Sequence, residues 1–217
     1  MLEVIALDAA DAEAAQAGGA HRLELVTDMA ADGLTPPPSL IRSVLAATDL
    51  PVRVMLRDAA GFAPGDLDGL RRAAADAREA GAAEFVLGFL DARQGIDEEA
   101  CRAVLGEIAG CAWTFHRALD NSADPRESWD VVERLGCDTV LAAGSPNGVA
   151  DGMDVLADLA ARQENLTLLV GGGLKREHVG PLKALGATAF HVGSAVRPGG
   201  WAAPLSADAV RTWANLV

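Results

Sequence analysis

Short apolar runs recur along the chain at near-regular spacing. They fall at 2–7 (LEVIAL), 21–26 (HRLELV), 51–57 (PVRVMLR) and 84–90 (EFVLGFL). Four more follow at 112–119 (AWTFHRAL), 139–144 (TVLAAG), 166–173 (LTLLVGGG) and 189–196 (AFHVGSAV). Runs this short and this apolar predict parallel strands buried on both faces. The intervening segments 9–17, 37–47, 66–79, 97–109, 125–135, 149–163, 175–184 and 206–215 have helical composition. Several stop at glycine, at Gly18-Gly19, Gly81, Gly110, Gly136 and Gly186, while Asp97, Asp124 before Pro125, and Ser206 carry N-cap chemistry. The phrase "helix, glycine, small residues, strand" repeats as EAGAAEFV, RLGCDTVL and KALGATAF. One βα unit used eight times predicts a single-domain α/β fold, a (β/α)8 TIM-type barrel spanning 1–217. A doubly wound sheet is the alternative, but it needs edge strands and a reversal of strand order that no segment provides. The longest excursions from the repeat are 27–36 and 58–65.

Composition narrows the function classes. The chain has 217 residues, with 18 Lys and Arg against 31 Asp and Glu, a formal charge of −13. That balance disfavours nucleic acid and anionic membrane as partners. Apolar residues make up 50% of the chain, too many for general disorder. Tyrosine is absent, and five Phe and four Trp leave few platforms for stacking bases. Glu3 and Asp8 interrupt the first apolar run, so no secretory signal is expected and the predicted location is the cytoplasm. Cys101, Cys111 and Cys137 are odd in number and widely spaced, without a CxxC pair or a zinc-ligand pattern. No metal site is expected from them.

The strands carry ionisable residues where a barrel interior should be apolar: Glu3, Arg22, Glu24, Arg53, Arg57, His116, Arg117 and His191. Period-two alternation puts Arg22 and Glu24 on one face of strand two, and Arg53, Met55 and Arg57 on one face of strand three. Glu3, Glu24, Arg57 and either His116 or Arg117 are then expected to converge on the barrel axis. A self-satisfied ion-pair network is the competing reading. Crowding of so many charges at one barrel favours a functional cleft. Within TFHRALD (114–120), His116 suits proton transfer near neutrality and Arg117 suits an anion or Asp120. Asp120 either caps a turn or orients the histidine. His191 offers a second imidazole, whereas His21 and His178 read as structural or surface residues.

The last two strands end in glycine-rich sequence, GGG at 171–173 and GSA at 193–195. Backbone amides after strands seven and eight of such barrels often hold a phosphate. Gly171, Gly172, Gly173, Gly193 and Ser194 are therefore candidates for an anion nest, with Arg197 as an additional charged donor. Neither a Walker nor a dinucleotide-binding glycine motif is present.

LEVIAL, HRLELV, GLTPP (33–37), TFHRALD, GGG and FHVGSA (190–195) together resemble the CutC family, associated with copper homeostasis, over almost the entire chain. The resemblance implies a cytoplasmic, usually dimeric, TIM-type barrel. The family's recurrent polar positions fall on Glu3, Arg22, Glu24, Arg57, His116, Arg117, Asp120 and His191. It also implies copper as a ligand, ascribed in some members to cysteines near the ends of the first two strands. This chain has Ile5, Ala6 and Val26 there, and the family's Arg-Pro-Arg-Gly-Gly run is reduced to Arg57-Asp58-Ala59-Ala60-Gly61. Copper(I) prefers thiolates and thioethers, so the departures weigh against a copper site. Beside the copper reading stand an enzyme using acid–base chemistry on a small phosphorylated or carboxylated metabolite, and a sensor that binds such a ligand without turnover. Isomerisation, aldol-type cleavage and hydrolysis are all open at this stage.

Overall fold

A computed structural model describes residues 1–217. Eight parallel strands close into a barrel in sequence order: β1 (Leu2–Ala6), β2 (Arg22–Leu25), β3 (Val52–Met55), β4 (Glu84–Leu87), β5 (Ala112–Phe115), β6 (Thr139–Ala142), β7 (Thr167–Val170) and β8 (Ala189–Val192). Each is followed by one helix of the outer ring: α1 (Ala9–Gly18), α2 (Pro38–Ala47), α3 (Leu67–Glu79), α4 (Glu98–Glu107), α5 (Pro125–Arg134), α6 (Met153–Ala160), α7 (Arg176–Ala184) and α8 (Ala207–Ala214). β1 pairs with β8 through Glu3 opposite His191, which closes the ring. This is the (β/α)8 architecture that the repeat predicts, and no sheet edge is left exposed.

The predicted caps hold. The Asp97 side chain accepts from Ala100 N, Asp124 from Arg126 N, and Ser206 from Ala209 N. Gly81 and Gly136 take positive φ (105° and 83°) at the turn from helix to strand, a conformation that costs glycine no Cβ clash. Most strands end two to four residues before their apolar runs do, and two boundary differences bear on the site. The segment 149–163 opens with a separate 3-10 turn at Val149–Asp151, and α6 starts only at Met153. A Cβ on Gly152 would lie 2.0 Å from the Ala143 carbonyl oxygen, so the chain passes too close to the end of β6 for a continuous helix. Strand five, expected to reach 119, ends at Phe115.

Alternation separates two cores. Outward strand residues such as Leu23, Val54, Phe85 and Phe190 pack under the helices in the large apolar cluster. Inward positions hold two small apolar groups, Ile5, Val26, Met55 and Val86 on one side and Leu141, Leu169 and Ala189 on the other. The remaining inward positions are polar, threonines such as Thr114 and the charged residues. Arg53 sits low in the barrel, donating to Glu84 (3.0 Å), Thr114 (2.5 Å) and Asp138 (2.6 Å). No helix is long and apolar enough to cross a membrane.

Candidate functional site

A cavity of about 420 Å³ opens at the carboxyl ends of the strands. Glu24 reaches it from β2, Arg57 from just beyond β3, His116 and Arg117 from beyond β5, and His191 from β8. Gly172 and Gly173 follow β7, and Gly193 and Ser194 follow β8, on the same wall. Ile5, Met55 and Leu141 give it an apolar lining between these groups.

The acids and imidazoles form a chain. Arg22 Nε donates to Glu3 Oε2, and His191 Nδ1 lies 2.8 Å from Glu3 Oε1. The other ring nitrogen, His191 Nε2, lies 3.7 Å from Glu24 Oε2. Burial pushes the Glu3 carboxyl up, but Arg22 and the His191 hydrogen bond outweigh it and hold Glu3 at about 2. Glu3 is thus a carboxylate, and it binds His191 through the Nδ1–H proton. His191 is raised: burial opposes its charged form, and Glu24 and Glu3 outweigh that burial. Glu24 goes the other way. Burial and the Glu3 charge raise it to about 7, against the pull of His191, Arg22 and Arg57. Its Oε1 is buried and has no hydrogen-bond partner. A carboxyl with such a value exchanges protons near neutrality, as a general acid or base must.

His116 is tuned in the opposite sense. Burial, then the neighbouring Arg57 and Arg117 charges, lower it to about 3. The Ala118 amide donates to its Nδ1 at 3.2 Å, which leaves the proton of the neutral ring on Nε2. That Nε2–H is buried and unpartnered at the cavity wall. Gly88 makes room for the ring, since a Cβ there would lie 2.7 Å from Nδ1. Phe62 meets the imidazole edge-on with ring centroids 5.8 Å apart.

Two arginines complete the polar wall. Arg57 is held by backbone carbonyls alone, Gly61 through Nε and Nη2 and Asp32 through Nη1, and its guanidinium lies over Phe62. Its charge has no carboxylate partner. Arg117 Nε donates to Asp120 at 2.8 Å, and its Nη2 to the Ser145 and Pro146 carbonyls. Because β5 ends at Phe115, strand alternation no longer separates His116 from Arg117, and both line the cavity. Gly172, at φ +90°, is where Arg117 crosses the β7 loop; a Cβ there would lie 2.5 Å from Arg117 Nε. The amides of Gly172, Gly173, Leu174 and Gly193 donate to no protein group, and all four residues line the cavity.

Several sequence candidates stand behind this wall. Glu3 is fully buried beneath His191 and positions that ring. Asp120 does not touch His116; it accepts from the Ala143 and Gly144 amides and from Arg117, tying the end of β6 to the arginine. Burial raises its pKa against those donors. Gly171 serves packing, since a Cβ there would meet His191 and Leu141. Arg197 is not an anion donor: it is buried, paired with Asp11, bonded to Ala203 O and stacked on Trp201. Asp32, Phe62 and Trp201 line the cavity without having been singled out by sequence. They come from loops, where no periodicity assigns a direction.

Fold and geometry together define a (β/α)8 barrel with a charged cavity at the carboxyl ends of its strands. Comparison with known proteins makes the assignment specific. The CutC family profile matches residues 1–196, and the chain belongs to the CutC family. It is 33% identical over 195 residues to a CutC family protein of Xanthomonas campestris pv. campestris (strain B100), covering 88% of this chain and 81% of the relative. A Sinorhizobium medicae (strain WSM419) CutC family protein is 34% identical over 186 residues, covering 84% and 76%. Among solved structures, the CutC protein of Streptococcus agalactiae, described there under copper homeostasis, superposes with a TM-score of 0.81 at 26% identity. That match covers 89% of this chain and 97% of the other.

The side chains present do not fit a copper site. Burial pushes the Cys101 and Cys137 thiols up to about 12, so both stay protonated, and neither lines the cavity. Met29 and Met55 reach the cavity. The lone-pair nitrogen of His116, however, is already occupied by the Ala118 amide. No group of three His, Cys, Asp or Glu is arranged to hold a metal ion.

Proposed function

We propose that this protein is an enzyme that binds a small phosphorylated or carboxylated metabolite and moves a proton on it. One observation carries the reading: Glu24, held at about 7 with an unpartnered oxygen, shares its cavity with the carbonyl-held Arg57. A buried carboxyl oxygen without a partner costs stability, and catalysis is a use that compensates. Arg57, Arg117 and the amides beyond β7 and β8 supply the anion's partners. The cavity suits a molecule of a few carbons. A cytoplasmic location agrees with three free cysteines. The family resemblance supports a homodimer, and the net charge of −13 argues against nucleic acid and membrane partners.

The reading is tested by thermal-shift screening of phosphorylated and carboxylated metabolites against wild type and Arg57→Ala. A ligand that raises wild-type Tm and leaves Arg57→Ala unmoved supports it. Equal shifts in both proteins, or none in wild type, refute it. A sensor would show the same binding without turnover, so product analysis on the positive ligands separates the two.

A further inference from the structure

Two residues that line the cavity, Glu24 and His116, each keep a buried polar atom without a protein partner, and the two atoms are opposite in kind: Glu24 Oε1 is an acceptor and His116 Nε2–H is a donor. The two residues stand on β2 and beyond β5, so they border the cavity from different sides of the ring. Ile5, Met55 and Leu141 add an apolar lining, which suits bound carbon rather than water. His116 is kept neutral, so it can donate a hydrogen bond to a forming oxyanion without giving up a full proton.

We propose that the cavity enolises a small phosphorylated carbonyl compound: Glu24 takes the proton from the carbon beside the carbonyl, His116 and Arg57 hold the carbonyl oxygen, and the amides beyond β7 and β8 hold the phosphate. This rests on the acid–base reading above and narrows it to one reaction class. The C–H electron pair becomes the new C=C bond, and the carbonyl π pair moves onto oxygen as an enolate. The proton resides on Glu24 and returns to the same carbon, giving exchange, or to the neighbouring carbon of an α-hydroxy carbonyl. In the second case a proton also passes between the two oxygens, one carbon is oxidised and its neighbour is reduced. No external oxidant, reductant or metal enters the balance. His191 Nε2, 3.7 Å from Glu24 Oε2 and anchored by Glu3, is a positioning residue that keeps the carboxyl's other oxygen turned away from the substrate.

The test uses calorimetry and proton NMR in D2O on the intact chain. 2-Phosphoglycolate serves as a stable mimic of the enolate, and glycerol 3-phosphate as a phosphate that cannot enolise. Dihydroxyacetone phosphate, ribulose 5-phosphate and fructose 6-phosphate are the exchangeable probes. Wild type should bind 2-phosphoglycolate at least about tenfold more tightly than glycerol 3-phosphate. It should also wash deuterium into at least one sugar phosphate faster than buffer does. Glu24→Gln should keep glycerol 3-phosphate binding and lose exchange. His116→Ala should lose about tenfold in the preference for phosphoglycolate, with glycerol 3-phosphate affinity little changed. Equal binding of both phosphates with no exchange above buffer overturns enolisation while leaving an anion-binding enzyme. Failure to bind either phosphate overturns the phosphate reading. Exchange that survives in Glu24→Gln removes Glu24 as the base.

Discussion

The barrel holds two buried ionic clusters, and they differ in one respect that decides their roles. At the amino end Arg53 is saturated: Nε, Nη1 and Nη2 each donate, to Glu84, Thr114 and Asp138. At the carboxyl end Glu24 and His116 each keep a buried atom without a partner, and Arg57 meets only carbonyl oxygens. Both clusters draw on β3 and β5 and the residues just beyond them, with Arg53 and Arg57 on one face of a single segment. Charge inside a barrel therefore does not by itself mark a site. What sets the upper cluster apart is a buried unpartnered atom on a residue that lines the cavity, as on Glu24 and His116 but not on Arg22 or Arg197.

The contrast makes predictions that can break it, and the largest effect belongs to the matched cluster. Arg53→Ala leaves Glu84 and Asp138 without their partner and should cost about 3 kcal/mol in urea unfolding, less than a fully dry pair because both acids are partly exposed. A loss below about 1 kcal/mol would show that the lower cluster is not structural.

Glu24→Gln should do the reverse. Glu24 faces His191, Glu3, Arg22 and Arg57. Its folded pKa of about 7 lies above the ordinary 4.5, so the folded state binds the extra proton between those values. Wild-type stability from this group is complete below about 4.5 and is lost as pH rises through about 7. His191, also raised, acts in the same direction. The variant should be more stable than wild type at pH 8 by on the order of 2 kcal/mol, and nearly equal to it at pH 5. An unchanged difference across that range would place the proton elsewhere. His116 has the opposite sign: lowered to about 3 from 6.5, it should erode stability as pH falls through that window.

Gly172→Ala tests the loop that carries the amides. A side chain at φ +90° against Arg117 should cost about 1–2 kcal/mol and weaken phosphate protection in thermal melts. Retained protection would remove this loop from the anion site. The smallest expected effect is with copper(I). Titration under reducing conditions should show no saturable binding below millimolar metal, and tight stoichiometric binding would reverse the conclusion drawn from the donor set.

Much of this was legible in the sequence. Repetition of strand, helix and glycine prescribes the barrel because each apolar run needs cover on both faces and each βα unit supplies half of it. Alternation correctly grouped Arg22 with Glu24 and Arg53 with Arg57 as inward columns. It says nothing about height along the axis, and so could not separate Arg53, paired with carboxylates, from Arg57, which meets only carbonyls. It misjudged strand five, where an extended reading to 119 allowed only one of His116 and Arg117 to face inward. Glu3 and Asp120 carried the right chemistry but stand one layer back. Arg197 is spent on Asp11, a partner 186 positions away that no local pattern could reveal.

The amino-acid sequence by itself determined the number and order of the elements, their caps, and which residues look toward the axis, since all of these follow from local periodicity and backbone preference. Only the tertiary structure decided which of those inward groups found partners. Closure of the ring brings Glu3 against His191, Phe62 against His116 and the β7 loop against Arg117. Pairing, desolvation and the opposed proton affinities of Glu24 and His116 arise from distances across that ring, which no spacing along the chain encodes.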